Sequence, residues 1–413
     1  MEGGEENIKG KVSRIILVLG RVLKMLKILF TILLFALAIR LLTFNFNQTL
    51  PKTLVINSFK AHQNNFYTAS SDNFNISFSY KGKIQAQDVI SYKNFSYDNK
   101  YKSYNIEDAQ VVKSNPTGFS RVKKDLFYLK QDLLKQLNLV LAGKSYELSA
   151  GMLFGEKSAL SKDFKEDLTT AGLIHIVVVS GFNISLVGLL ILNSLKKFGQ
   201  IAYLSSFLGI ILYSTLVGLE PPVLRALIMG SIVIIARVKG EESNQIYLLF
   251  IAAYIMILLN PLILTSLSFQ LSFMATLGIL IFTPIFDQIF PKALSDLSAS
   301  LSAQVMVIPI LALNFKQVSI ISPIANLLTL WAVPIITVVS GLLLLISFVS
   351  VQIASFLSFL VTMPSLVIEI TVSNLSKVAF ASVAVEVDIL KVVIMYLCIF
   401  AFYLYYTFYL SRP

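Results

Sequence analysis

Residues 172–192 read GLIHIVVVSGFNISLVGLLIL. At about 1.5 Å per residue an apolar helix of this length crosses the hydrocarbon core of a bilayer. Yet the stretch carries His175, Ser180, Gly181 and Asn183, and lipid penalises polar groups unless they face a partner or a water-filled path. "SGFN" joins a hydroxyl and a flexible glycine within four residues, which predicts a kink or an unwound turn whose free backbone groups line a cavity. For His175 alone a structural hydrogen bond to a neighbouring helix is the favoured reading. Together with Ser180 and Asn183 it marks a functional position.

Working outward, the same hydropathy returns many times. Of the 413 residues 56% are hydrophobic and only 14% charged, which makes the chain a polytopic α-helical membrane protein. After Ala171 the candidate spans are about 172–193, 200–217, 222–236, 245–259, 264–284, 298–314, 321–348, 352–371 and 388–409. With one more near the N-terminus they make about ten. The stretch 321–348 contains Pro323, Pro334 and Gly341 and reads as a broken helix or a re-entrant pair. No internal repeat is visible, which argues against an inverted-repeat transporter.

The N-terminal region 1–44 places Lys9, Lys11, Arg14, Arg21, Lys24 and Lys27 before an apolar stretch from Ile28 to Leu42. No small-residue cleavage site follows, so it reads as an uncleaved first span with its basic start in the cytoplasm. Region 45–120 is polar and predicts a small β-rich, OB-like domain outside the cytoplasmic membrane. In "FNISFSY" Phe74, Ile76, Phe78 and Tyr80 share one face of a strand, "KG" is the turn, and "KIQAQDVI" is the strand that follows. Eight lysines face five acidic residues among thirteen Phe or Tyr here. Lys81, Lys83, Tyr92, Lys93 and Tyr97 are the candidates for a single-stranded nucleic acid surface, since basic groups track phosphates while aromatic faces stack on bases. The residues by themselves favour the plainer reading, an aromatic β-core with solvated lysines, because aromatics are ordinary β-core residues.

Region 121–171 begins with an amphipathic helix, its apolar stripe running through Leu126, Leu133, Leu134, Leu137 and Leu141, that suits the membrane surface. "GKS" at 143–145 is not a phosphate loop, because the position of that motif's first glycine holds Asn138 and the preceding segment is helical. Regions 172–350 and 351–413 hold the apolar spans. Polar residues recur there: Arg225 one turn after "GLEPP", free to snorkel or to pair with Glu220; Gln270 and Ser272 in "SFQLSFMA"; and Asn326 in "ISPIANLL". The serines of "LSDLSASLSAQ" suit close helix packing. Cys398 has no partner in the chain, so no internal disulfide forms. No nucleophile, metal cluster or cofactor motif is present, and neither catalysis nor a cofactor is expected. The net charge of +11 suits anionic lipid or a polyanion.

Four motifs in order, "GMLFGEKSAL…AGLIHIVVVSGFNISLVG", "GLEPPVLRALIM", "NPLILTSLSFQLSFMATLGIL" and "FKQVSIISPIANLLTLWAVP", resemble the membrane domain of the ComEC family of competence proteins. "FSYDNKYKSYNIEDAQVV" is similar to the end of that family's N-terminal OB-like module, so the resemblance covers about residues 20–350. It implies a channel passing single-stranded DNA across the bacterial cytoplasmic membrane during natural transformation. A DNA receptor outside, a helicase or ATPase inside and a separate nuclease would be its partners. His175, Ser180, Gly181, Asn183, Arg225, Gln270, Ser272 and Asn326 would line or brace the conduit. Two departures stand out. The family's usual "SG-L-H" has a second histidine where this chain has Asn183. The metallo-β-lactamase-like domain that many members append is not expected, as only His62 and His175 are present and its metal cluster needs more. A transporter or scaffold for lipid-linked or other anionic solutes on the same fold is the competing class.

Overall fold

A computed structural model describes residues 53–56, 58–61, 66–71, 74–80, 84–92, 94–98, 103–107, 109–112, 119–378 and 380–407. The expected first span at 28–42, His62, and the "KG" turn lie outside them.

The β-rich region contains strands β1 (Thr53–Val55), β2 (Ser58–Ala61), β3 (Phe66–Ser71), β4 (Phe74–Ser79), β5 (Val89–Ser91), β6 (Asn94–Asp98), β7 (Ser103–Glu107) and β8 (Gln110–Val112). They form two sheets, ordered β1-β5-β8 and β2-β3-β4-β7-β6, in which β4 and β7 run parallel and every other pair antiparallel. The alternation read in "FNISFSY" is the alternation of β4, whose Ile76 and Phe78 point into a core shared with Leu54, Ile56, Ile84, Ile90 and Ile106. "KIQAQDVI" is not all strand. The backbone turns at Ala86 and Gln87, with Gln87 at φ +69°, and β5 begins only at Val89. The buried Asp88 holds that turn by accepting from the Gln85 amide at 2.7 Å, a local side-chain bond that competes with a ladder.

Helix α1 (Phe119–Val140) connects the two regions. Near its start Phe127 stacks on Phe59 at 5.7 Å, and Lys124 donates to Gln85 at 2.8 Å. Further along, Leu134, Leu137 and the following Leu141 are buried, and Gln136 donates to the Ser347 carbonyl at 3.0 Å. Helical neighbours, rather than a lipid surface, therefore cover this part of the apolar stripe.

Next come α2 (Gly143–Phe154), α3 (Lys162–Thr170), α4 (Gly181–Ser194), α5 (Gln200–Val217), α6 (Pro221–Val238), α7 (Gln245–Leu259), α8 (Leu267–Ile289) and α9 (Ser295–Phe315). A short strand β9 (Gln317–Ser319) precedes α10 (Ser322–Thr329), α11 (Ala332–Ser347), α12 (Val351–Phe356) and α13 (Phe359–Leu375). Strand β10 (Ser382–Ala384) and α14 (Ile389–Tyr405) complete the described chain. Strands β9 and β10 pair antiparallel, clipping the α9–α10 connection to the α13–α14 connection, a contact nothing in the local pattern announces.

Among the described residues, five segments are long and apolar enough to cross a membrane: 174–194, 200–217, 221–238, 267–289 and 295–315. Helices α10 and α11 make a sixth if they are one span bent by 44°, as the prolines and glycine of 321–348 predict. Helices α7, α13 and α14 are apolar but shorter. The stretch 352–371 is not one helix, since it breaks after Phe356 into α12 and α13.

The main core joins residues of α1, α2, α3, α10, α11, α12 and α13. Helices α8 and α9 are the most extensively packed described pair. A Cβ on Gly278 would lie 2.4 Å from the Ser302 carbonyl oxygen, so the missing side chain is what admits this approach. Ser298, Ser300 and Ser302 are buried there, as their small size suggests.

Candidate functional site

The opening stretch is not one continuous helix. Gly172 turns at φ +74°, a single 3₁₀ turn covers Ile174–Ile176, Ser180 is extended at φ −94° and ψ 165°, and α4 starts at Gly181. The break falls at "SGFN", where glycine and serine were expected to permit it. It distributes the polar residues into separate groups.

Asn183 sits in the first turn of α4, 1% exposed, and donates through Nδ2 to the Met152 carbonyl at 2.8 Å. On α5, Tyr213 donates to the neighbouring Leu153 carbonyl at 2.8 Å. The last turn of α2 exposes carbonyls that the helix itself cannot satisfy, and these two side chains satisfy them. Gly155, at φ +65°, then turns the chain away. Asn183 is thus a brace between α4 and α2. Its Oδ1 is buried and has no hydrogen-bond partner among the described residues.

His175 is an exposed side chain whose Nδ1 lies 3.1 Å from the Gly172 carbonyl. Since a carbonyl only accepts, the proton in that contact belongs to Nδ1. Ser322 at the start of α10 also donates to Gly172, at 3.4 Å, and receives a bond from Gln304 of α9 at 3.0 Å. Gly172 is obligatory on two counts: its positive φ, and Ser322 Cβ at 2.6 Å from where its own Cβ would stand. Asn326, one turn into α10 and buried, donates to Ser300 at 2.7 Å, and its Oδ1 has no partner among the described residues.

Arg225 occupies a different place, one turn into α6. It does not pair with Glu220, which binds Lys157 at 3.0 Å instead. Nη1 donates to the Ser272 carbonyl and to the Thr276 hydroxyl of α8, and the guanidinium carbon lies 5.9 Å from the centre of the Phe273 ring. Both oxygens are neutral, so no carboxylate compensates the charge among the described residues. On the α4 side Gly181 faces the guanidinium closely, its hypothetical Cβ 2.9 Å from Nη2. Sequence reasoning found Gly181, Arg225 and Ser272 but missed Thr276 and Phe273. Thr276 stands four residues after Ser272, on the same helix face, and that spacing was the available signal.

The candidates do not form one constellation. Gly181, Arg225 and Ser272 come together, whereas Gln270 ties the first turn of α8 to the preceding 3₁₀ turn by donating to the Leu264 carbonyl at 2.8 Å. Ser180 is the extended residue before α4, and its side chain makes no capping bond. In the β-rich region Lys81, Lys83 and Lys93 lie outside the described residues, as does the side chain of Tyr97 on β6. Tyr92, half-buried after β5, packs against the β core, and burial pushes its phenol above the ordinary value.

Comparison with known proteins gives a family match over residues 152–410, to the competence protein family model. It covers more than half of the chain, runs beyond residue 350 to include α14, and leaves out the β-rich region. ComE operon protein 3 of Bacillus subtilis (strain 168) is 26% identical over 219 residues, 52% of this chain and 28% of that protein. An uncharacterized protein of Aquifex aeolicus (strain VF5) is 31% identical over 185 residues, 44% of this chain and 43% of its own. The uncharacterized protein YcaI of Escherichia coli (strain K12) is 23% identical over 207 residues, 46% of this chain and 27% of its own. The aligned part thus spans less than half the length of each relative. No solved structure matches.

Proposed function

The chain belongs to the competence protein family, and from that premise we propose that it is a membrane channel passing single-stranded DNA across the bacterial cytoplasmic membrane during natural transformation. The observation that carries the reading is Arg225, a guanidinium held between apolar helices by neutral oxygens alone. A charge in such surroundings is costly unless something compensates it, and a strand of phosphates is the compensating cargo that the family suggests. Asn183, His175 and Asn326 brace the protein elsewhere, at the end of α2, at Gly172 and between α9 and α10. Gln270 in this reading ties α8 to the turn before it.

On the same reading the N-terminus is cytoplasmic and the β-rich region is an OB-like module outside, where its lysines and aromatics hold the strand weakly. A DNA receptor delivers the strand and a helicase or ATPase draws it in. Any cleavage belongs to a separate nuclease, and this chain catalyses no step. Deleting the gene and measuring transformation beside a whole-cell lipid profile tests the proposal. Transformation should fall by orders of magnitude with lipids unchanged. Undiminished transformation with an altered lipid profile would favour the lipid-linked solute class instead.

A further inference from the structure

Arg225 uses only part of its hydrogen-bonding capacity. Nη1 is shared between Ser272 and Thr276, while Nη2 and Nε donate to no protein atom among the described residues. The Thr276 hydroxyl does two things at once: it accepts from Nη1, and it donates its own hydrogen to the Ser272 carbonyl at 3.0 Å. That second bond orients the hydroxyl, directing an oxygen lone pair toward the guanidinium. The Phe273 ring contacts the same guanidinium. A planar ion held at Nη1 by two acceptors and beside an aromatic ring has little rotational freedom left. Its remaining edge, Nε with Nη2, is the kind that grips two oxygens of one phosphate. Nη2 faces Gly181, and a side chain there would meet it at 2.9 Å and Ala226 Cβ at 3.3 Å.

We propose that Thr276 is the positioning residue that presents the free edge of Arg225 to a phosphodiester oxygen, with Phe273 beside the ion and Gly181 keeping the approach clear. The proposal rests on the reading of Arg225 as the site of an anionic strand. The chemistry it names, a phosphodiester, is shared by a DNA backbone and by an anionic lipid headgroup.

The test uses the full chain in nanodiscs, with Thr276→Val removing the hydroxyl at nearly constant shape and Thr276→Ser restoring it. In neutral phosphatidylcholine discs, a fluorescent single-stranded oligonucleotide is titrated at salt concentrations from about 50 to 200 mM. Thr276→Val should bind about tenfold more weakly, with a salt slope shallower by about 0.7, the loss of one phosphate contact. Thr276→Ser should match the parent. In discs doped with phosphatidylglycerol, native mass spectrometry counts the anionic lipid each variant retains. If the parent binds no oligonucleotide but holds phosphatidylglycerol in a Thr276-dependent way, the DNA reading fails while the positioning role stands, with lipid as the source of the phosphodiester. Parent-like behaviour of Thr276→Val in both arms overturns the proposal. So does equal weakness of Val and Ser variants, or a parent that binds neither probe.

Discussion

In the β-rich region the large apolar side chains Leu54, Ile56, Ile76, Phe78 and Ile90 are all at 2% exposure or less, Asp88 is the one charged side chain described that is buried as deeply, and the only exposed large apolar residues described are Val55 and Phe66. The helical body also buries leucines, but Ser149, Ser214, Ser298, Ser302 and Ser340 are equally inaccessible at 0%, while Leu345, Phe356 and Leu397 stand 60% exposed or more. The β-rich region follows the rule for a fold in water, apolar inside and polar outside. In lipid the outer surface is apolar, and helices associate through close contact of small residues and through side-chain hydrogen bonds. Ser149 with Ser340, at 2.8 Å between α2 and α11, is such a bond, and Gly278 against Ser302 is such a contact. The two regions thus carry the surfaces expected of two different solvents.

That contrast can be broken at its strongest point first. Phe78→Ala opens a cavity in the small β core and should cost about 3–5 kcal/mol, enough to unfold that region. Limited proteolysis should then cut within 53–112 while the helical body, freed of no core residue, stays protected. Loss of both regions together would mean that the Phe59–Phe127 stack makes them one folding unit.

A smaller effect is expected in the helical body. Gly278→Ala pushes a methyl into the Ser302 backbone and should destabilise the α8–α9 pair by about 1–3 kcal/mol, read as a lowered thermal midpoint in detergent. No change would show that α8 and α9 are held by their apolar flanks, as helices of a water-soluble bundle are. The smallest effect belongs to the exposed Lys157–Glu220 pair: Glu220→Gln should shift stability by less than about 1 kcal/mol, less still at high salt. A larger loss would make the loop before α6 a structural latch for Arg225.

The β-rich region was the more legible of the two, because a strand with one wet face shows its inward residues by alternation alone. Its failure at "KIQAQDVI" came from Asp88, whose carboxylate bonds the Gln85 amide and holds a turn where alternation suggested a strand. In the helical body the break at "SGFN" and the bend near residue 330 were legible because glycine, serine and proline weaken a helix locally. The separation of 352–371 into α12 and α13 was not, because its one proline, Pro364, lies inside α13 and not at the break after Phe356.

Composition and order of residues determined the class of the molecule, the positions of its apolar helices, the break before α4 and the four motifs that tie it to its family. Tertiary structure alone decided the partners. Arg225 passes over Glu220, five residues away, and takes Ser272 and Thr276, 47 and 51 residues distant, while Asn183 reaches back 31 residues to close the end of α2. A helix that is apolar on every side carries no pattern to say which face meets which neighbour. Those choices follow from how the helices pack side by side, and hydropathy along the chain does not encode them.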